Sequence, residues 1–123
     1  MLKKIGLTSA LLLAGALPAM AQATCTAPIA PAAVDGSTAT QAQMVAGIAA
    51  VKAFIAASDN YQDCLGANLK SQKDAAVAAN KAFDPAIEQA IVARGLDNQT
   101  QKEKVGGEIN AAVGAYKKIH PNG

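Results

Sequence analysis

A proline cannot sit inside a helix without removing a hydrogen bond and pushing its ring into the preceding turn. The placement of the five prolines therefore divides this 123-residue chain before any other feature does. They stand at Pro18, Pro28, Pro31, Pro85 and Pro121. Two long stretches are left free to be helical, from about Ala39 to Ala82 and from Pro85 to about Lys118. Start signals precede both. Thr38-x-x-Gln41 and Thr40-x-x-Gln43 are overlapping capping boxes that offer a side-chain oxygen to the free amides of a first turn. Asp84 can cap the second helix, with Pro85 at its first position, where a missing amide costs nothing. Lys117, Lys118 and His120 put positive charge where a helix C-terminus favours it, and Pro121 ends the run. Gly95 followed by Leu96-Asp97 leaves open a break or kink in the second helix.

Within the first stretch, Met44, Ile48, Val51, Ile55, Ser58, Gln62, Leu65, Leu69, Gln72, Ala76, Ala79 and Phe83 recur in steps of three and four, the period of a coiled-coil face. The second carries a matching line from Ile87, Ile91, Arg94, Asn98 and Gln101 to Val105, Ile109, Ala112, Tyr116 and Ile119. Two such helices with a tight connection predict an all-α fold, a long antiparallel hairpin over residues 39–119. At about 1.5 Å per residue the helices would reach roughly 65 and 50 Å, a rod. Gln72, Arg94, Asn98 and Gln101 face inward in this register. A polar register-setting layer, an exposed partner-binding segment and a mis-phased helix after Gly95 each account for them. Gly106, Gly107 and Gly114 inside the second helix point to close helix contact.

The first 23 residues have the plan of an export signal: Lys3 and Lys4, an apolar run from Ile5 to Leu17, and the small-x-small sites Ala19-Met20-Ala21 and Ala21-Gln22-Ala23. Cleavage after Ala21 or after Ala23 fits. Gln22-Ala23-Thr24 does not match the small-residue run that precedes a lipidated cysteine, so Cys25 is not expected to carry a lipid. No later run of unbroken apolar residues is long enough to span a membrane, and a processed chain without a membrane span is expected. Two cysteines, Cys25 and Cys64, in an exported chain predict one disulfide.

Residues 24–38 contain Pro28 and Pro31 and end in a turn at Asp35-Gly36, which predicts an extended, polyproline-like segment, either a strap on the helices or a loose tail. Cys25 to Ala39 spans about 46 Å when extended, and Ala39 to Cys64 along a helix about 37 Å, so the strap can fold back to Cys64. A second line on the first helix, Gly47, Ala50, Phe54, Ala57, Tyr61, Cys64 and Asn68, forms the expected groove. Pro28, Ile29, Pro31 and Val34 would cover Phe54 and Tyr61.

Composition excludes other classes. Without Lys3 and Lys4, nine basic residues face nine acidic ones. There is no Trp and only 3% of residues are aromatic, so neither the charge nor the stacking rings for nucleic-acid binding are present. Alanine fills 24 of the hundred positions from 24 onward, which favours helix but makes a thin core. A lone His120 and no Cys-x-x-Cys leave no nucleophile with a base, no redox dithiol and no metal cluster. Asp59 and Asp63, four apart, read as a solvated face rather than an acid/base pair; a hairpin turning near Asp84 would set them between Lys104 and Glu108. Asn98-Gln99-Thr100 matches a glycosylation triplet, a pattern frequent by chance.

Cys25-Thr-Ala-Pro28, Asp35-Gly-x-x-Ala-Thr40, the run Phe54 to Leu65, Lys102-Glu-Lys-Val-Gly106 and Asn110-Ala-Ala-Val-Gly-Ala-Tyr-Lys117 resemble segments of small exported helical proteins of Gram-negative bacteria. The resemblance covers most of the chain after residue 23 and implies a periplasmic location. It implies no activity, because none is established for such proteins. The expectation is a non-enzymatic periplasmic or secreted protein, needing no cofactor, that acts by protein contact as a structural, chaperone-like or inhibitor-like envelope factor. Its partner would be another protein or a further copy of itself, bound through surfaces that include Val45, Val77 and Val92. The alternative is a small-ligand or metal-binding envelope stress protein that uses the carboxylates and Tyr61.

Overall fold

The computed structural model describes residues 24–122. The expected export signal, residues 1–23, lies outside them. Two helices follow the extended segment: α1, Gln41–Ala78, and α2, Pro85–Ile119. They pack together as an antiparallel hairpin, and no strand occurs among the described residues. Helices of 38 and 35 residues extend ~57 and ~52 Å.

Of the two overlapping capping boxes, the second starts α1. The Thr40 hydroxyl accepts from the Gln43 amide at 3.2 Å, and the Thr40 amide donates to Gln43 Oε1 at 2.8 Å. Thr38 belongs instead to the preceding turn, where its amide donates to the Asp35 carbonyl. α1 stops at Ala78, four residues short of the expected end. Asn80 adopts the left-handed conformation, with φ 54°, while its amide donates to the Val77 carbonyl and the Lys81 amide to Ala76. This is a Schellman closure with asparagine, one of the few residues besides glycine that tolerates that geometry. α2 starts as expected, with Asp84 accepting from the Ala86 amide at 2.9 Å. It runs unbroken through Gly95. At its end the His120 amide donates to the Tyr116 carbonyl and the imidazole stacks on the Tyr116 ring, centroids 4.2 Å apart.

Three small clusters lie along the hairpin axis. Ala39, Met44 and Ala112 fill the open end, Val51, Phe54 and Val105 the middle, and Cys25, Tyr61, Leu65 and Ile91 the part nearer the connection. Between the last two sits a polar layer. Ser58 is fully buried and Asn98 is 3% exposed; Asn98 Nδ2 donates to Ser58 Oγ at 3.2 Å and Asn98 Oδ1 accepts from Gln62 at 2.9 Å. Among the open accounts of the polar seam positions, a register-setting layer therefore fits Asn98. The same burial leaves Asn98 no room for a glycan. The other three positions are not part of that layer. Gln72 donates to Asn68 on its own helix, Gln101 donates to Asp97 on an exposed surface, and Arg94 reaches the strap. The continuous α2 leaves no place for a mis-phased segment after Gly95.

By length and composition α1 is apolar enough to cross a membrane, contrary to the expectation that nothing after residue 23 is. Alanine sustains the apolarity across Lys52, where the eye sees an interrupted run. In the hairpin the same stretch places Met44, Val51 and Phe54 in the core.

Candidate functional site

The strap runs along one face of the hairpin. Cys25 and Cys64 form the expected disulfide, with S–S 1.97 Å and Cα atoms 5.7 Å apart. Arg94 fastens the same point from α2: Nη2 donates to the Cys25 carbonyl at 2.9 Å and Nε to the Tyr61 hydroxyl at 3.2 Å, with the guanidinium 5.8 Å from the Tyr61 ring centre. From there the chain runs antiparallel to α1 and parallel to α2 until Gly36 meets the backbone of Ala112. Cys25 is buried and Pro28, Pro31 and Val34 are half-buried, while the residues between them are exposed. That spacing of three is the turn of a polyproline helix, which presents every third residue to the same side. Ile29 falls off the line and is 93% exposed, so it does not cover the groove as expected.

Phe54 and Tyr61 are both buried, 4% and 5% exposed. Tyr61 packs with Cys25, whereas Phe54 packs with Val51 and Val105 in the hairpin itself. Pro31 and Val34 leave only a gap of about 10 Å³ above Val51, Val105 and Ile109, at the lower limit for one water. The space beneath the strap is closed, while open grooves of about 390 and 410 Å³ run along its two edges, one beside Thr38 and Ala46 and one beside Gln101 and Lys104.

At the far end of the strap, Asp35 accepts from both the amide and the hydroxyl of Ser37, at 2.9 and 2.5 Å. These bonds favour the carboxylate and hold its pKa below the ordinary value. Gly36 and Gly47 are the positions of close approach. A Cβ on Gly36 would lie 1.8 Å from the Ala112 carbonyl oxygen, and one on Gly47 would lie 2.6 Å from Val34 Cγ2. Gly106, Gly107 and Gly114, by contrast, have nothing within 4 Å of an added Cβ, so close contact between these two helices does not explain them. Gly106 is half-buried and Gly107 and Gly114 exposed, while Val105 and Ala112 of the same turns fill the contact with α1.

The opposite face carries no strap. Facing residues there form a ladder in constant register: Asp59 pairs with Lys102, Gln62 donates to Gln99 at 3.3 Å, and Lys73 pairs with Glu88 at 2.9 Å. The partner of Asp59 is Lys102 rather than the expected Lys104 and Glu108, which pair with each other along α2 at 3.8 Å. The register differs because α1 ends early at Asn80 and the connection is centred nearer residue 81 than Asp84. Between the two ion pairs lies an open groove of about 380 Å³, lined by Gly66, Leu69, Val92, Gly95 and Leu96. Leu96 is 64% and Val92 48% exposed.

Val45 and Val77 are also exposed, 62% and 79%. They stand 32 residues apart on α1, ~48 Å, so the three valines do not form one patch. Val92 alone joins the groove, and Leu96 and Leu69 accompany it. The heptad line does not mark Leu96, and the signal that could have found it is its helical neighbourhood with Val92. Asp59, whose carboxylate was a candidate ligand, is occupied by Lys102, and no group of three or more metal-ligating side chains occurs among the described residues. Comparison with protein-family patterns, characterised proteins and solved structures found no match to this chain.

Proposed function

We propose that the protein is a non-enzymatic exported factor that acts in the periplasm by protein contact, in a structural, chaperone-like or inhibitor-like role. One observation carries this reading. The hairpin has two broad faces, of which one is occupied along its length by a disulfide-anchored strap, while the other carries no covering segment and presents Leu69, Val92 and Leu96 in an open groove between two ion pairs. Exposed leucine and valine gathered in one groove with a charged rim is the pattern of an interaction surface. The location is supported by the export-signal plan of residues 1–23 and by the disulfide, which is compatible with an oxidising compartment.

The test is a Val92→Glu/Leu96→Glu double variant in exporting cells. Both side chains are substantially exposed, so the variant should fold and melt as the parent does, yet lose every species that chemical crosslinking of intact periplasm captures with the parent. An unchanged crosslinking pattern contradicts the reading. A rise in melting temperature with a divalent cation, and no crosslinked species, would instead support ligand binding.

A further inference from the structure

We propose that the occupant of the unstrapped face is a second copy of this chain, packed groove to groove about a two-fold axis parallel to the helices. This rests on the protein-contact reading and names the partner for that surface. At one end of the groove the ladder presents Asp59 on α1 and Lys102 on α2; at the other it presents Lys73 on α1 and Glu88 on α2. The sign order across the helices reverses from one end to the other. A two-fold axis along the hairpin sets α1 of one copy against α2 of the next, so each rung meets its own reverse. Asp59 then faces Lys102 of the second copy and Lys73 faces Glu88 of the second copy, giving two four-charge squares of alternating sign.

The same operation matches the uncharged rungs. Leu69 comes over Val92 of the second copy, Gln62 over Gln99, and Gly66 over Gly95. Gly66 has nothing within 4 Å of an added Cβ and Gly95 has only Leu65 Cδ1, at 3.9 Å. Two backbones can therefore approach closely at the centre, where Leu96, 64% exposed, finds a place to bury. An antiparallel two-fold keeps the charges complementary but sets Leu69 over Gln62 and Val92 over Gln99, and so buries amides under the aliphatic side chains.

Area is consistent with a stable pair. From Ile48 to Lys73 the face runs ~38 Å, and two helices side by side are ~20 Å wide, about 750 Å² per copy. A standard interface buries about 800 Å² per partner.

Sedimentation equilibrium of the processed, oxidised protein from micromolar to near-millimolar concentration tests this. A reversible dimer is expected. Leu96→Glu should be monomeric throughout, with the melting curve of the parent at concentrations low enough for the parent to be dissociated. Lys102→Glu places like charges in one square and should weaken association by about tenfold or more. Asp59→Lys with Lys102→Glu keeps the ion pair within each copy and restores alternation only in the parallel arrangement, so this double variant should dimerise again. A monomeric parent, a dimer indifferent to Leu96→Glu, or a double swap that stays dissociated overturns the proposal. A monomeric parent that still crosslinks to a different protein through position 96 removes the second copy and leaves the contact reading standing; no crosslink of any kind removes both.

Discussion

Seven glycines between residues 24 and 122 look alike in sequence, and the structure assigns opposite signs to their replacement by alanine. At Gly36 the new Cβ would sit 1.8 Å from the carbonyl oxygen of Ala112, with the Ala112 carbonyl carbon at 2.6 Å. Both are backbone atoms of a continuous helix and cannot rotate away. Relief requires the end of the strap to lift by ~1.5 Å, which loosens Val34, Ala39 and their packing on Met44 and Ala112. Overpacking of this kind costs about 2–3 kcal/mol. For a domain of this size that lowers the melting temperature by roughly 10–20 °C. At Gly107 and Gly114 an added Cβ meets nothing, so only helix propensity changes, and each substitution should stabilise by about 1 kcal/mol, or raise the melting temperature by roughly 4–8 °C. Thermal melts followed by far-ultraviolet circular dichroism read both signs, and hydrogen exchange should place the Gly36→Ala effect at residues 34–39. A neutral Gly36→Ala refutes the path of the strap over α2, and a destabilising Gly107→Ala refutes the outward placement of Gly107.

Removing the disulfide with Cys25→Ala/Cys64→Ala releases a loop of 39 residues. The chain-entropy relation gives a loss of about 4 kcal/mol, measurable as a lower urea midpoint with the helical signal retained below the transition. Asn98→Ala leaves Ser58 Oγ without its cross-helix partner and Gln62 with Gln99 alone, and should cost about 2 kcal/mol, whereas Ser58→Ala/Asn98→Leu, which removes the buried polar groups together, should cost less in the same denaturation assay. Asp35 has a lowered pKa because Ser37 hydrogen-bonds its carboxylate, so its contribution is present above its ordinary value and is lost as pH falls through the folded value. Lys70 is raised by Asp74, so its contribution is present below its ordinary value and lost as pH rises through the folded one. Both groups are fully exposed, and melting temperature should be flat through neutral pH, with Asp35→Asn removing only part of the acid limb.

The large features of this fold are written locally. Proline spacing and caps define two helices, and heptad steps define a hairpin seam, because these signals act within a few residues of one another. The end of α1 was equally local, in Asn80, but Asn is a weaker helix terminator than Gly and a proline five residues later draws attention away from it. Two kinds of information were out of reach. The handing of polar seam residues to separate tasks, Asn98 to Ser58 and Gln62 but Arg94 to the Cys25 carbonyl, depends on the hairpin register and on where the strap lies. So does the difference between glycines that receive a neighbouring chain and glycines that face outward. The strap groove was legible in part: every-third-residue facing follows from polyproline geometry, which picks out Pro28, Pro31 and Val34 and leaves out Ile29. The apolar groove between the ion pairs was indicated only by Val92, since Leu96 and Leu69 approach it from positions that a seam-based reading assigns elsewhere.

The most direct test of the account places a photo-crosslinking side chain at position 96, on the unstrapped face, and at position 29, on the outer side of the strap, in cells that export the protein. Both positions are exposed, 64% for Leu96 and 93% for Ile29, so accessibility does not separate them. A covalent protein adduct of the mass of two chains is expected from position 96, and none from position 29. An adduct from position 29 with none from position 96 would contradict it.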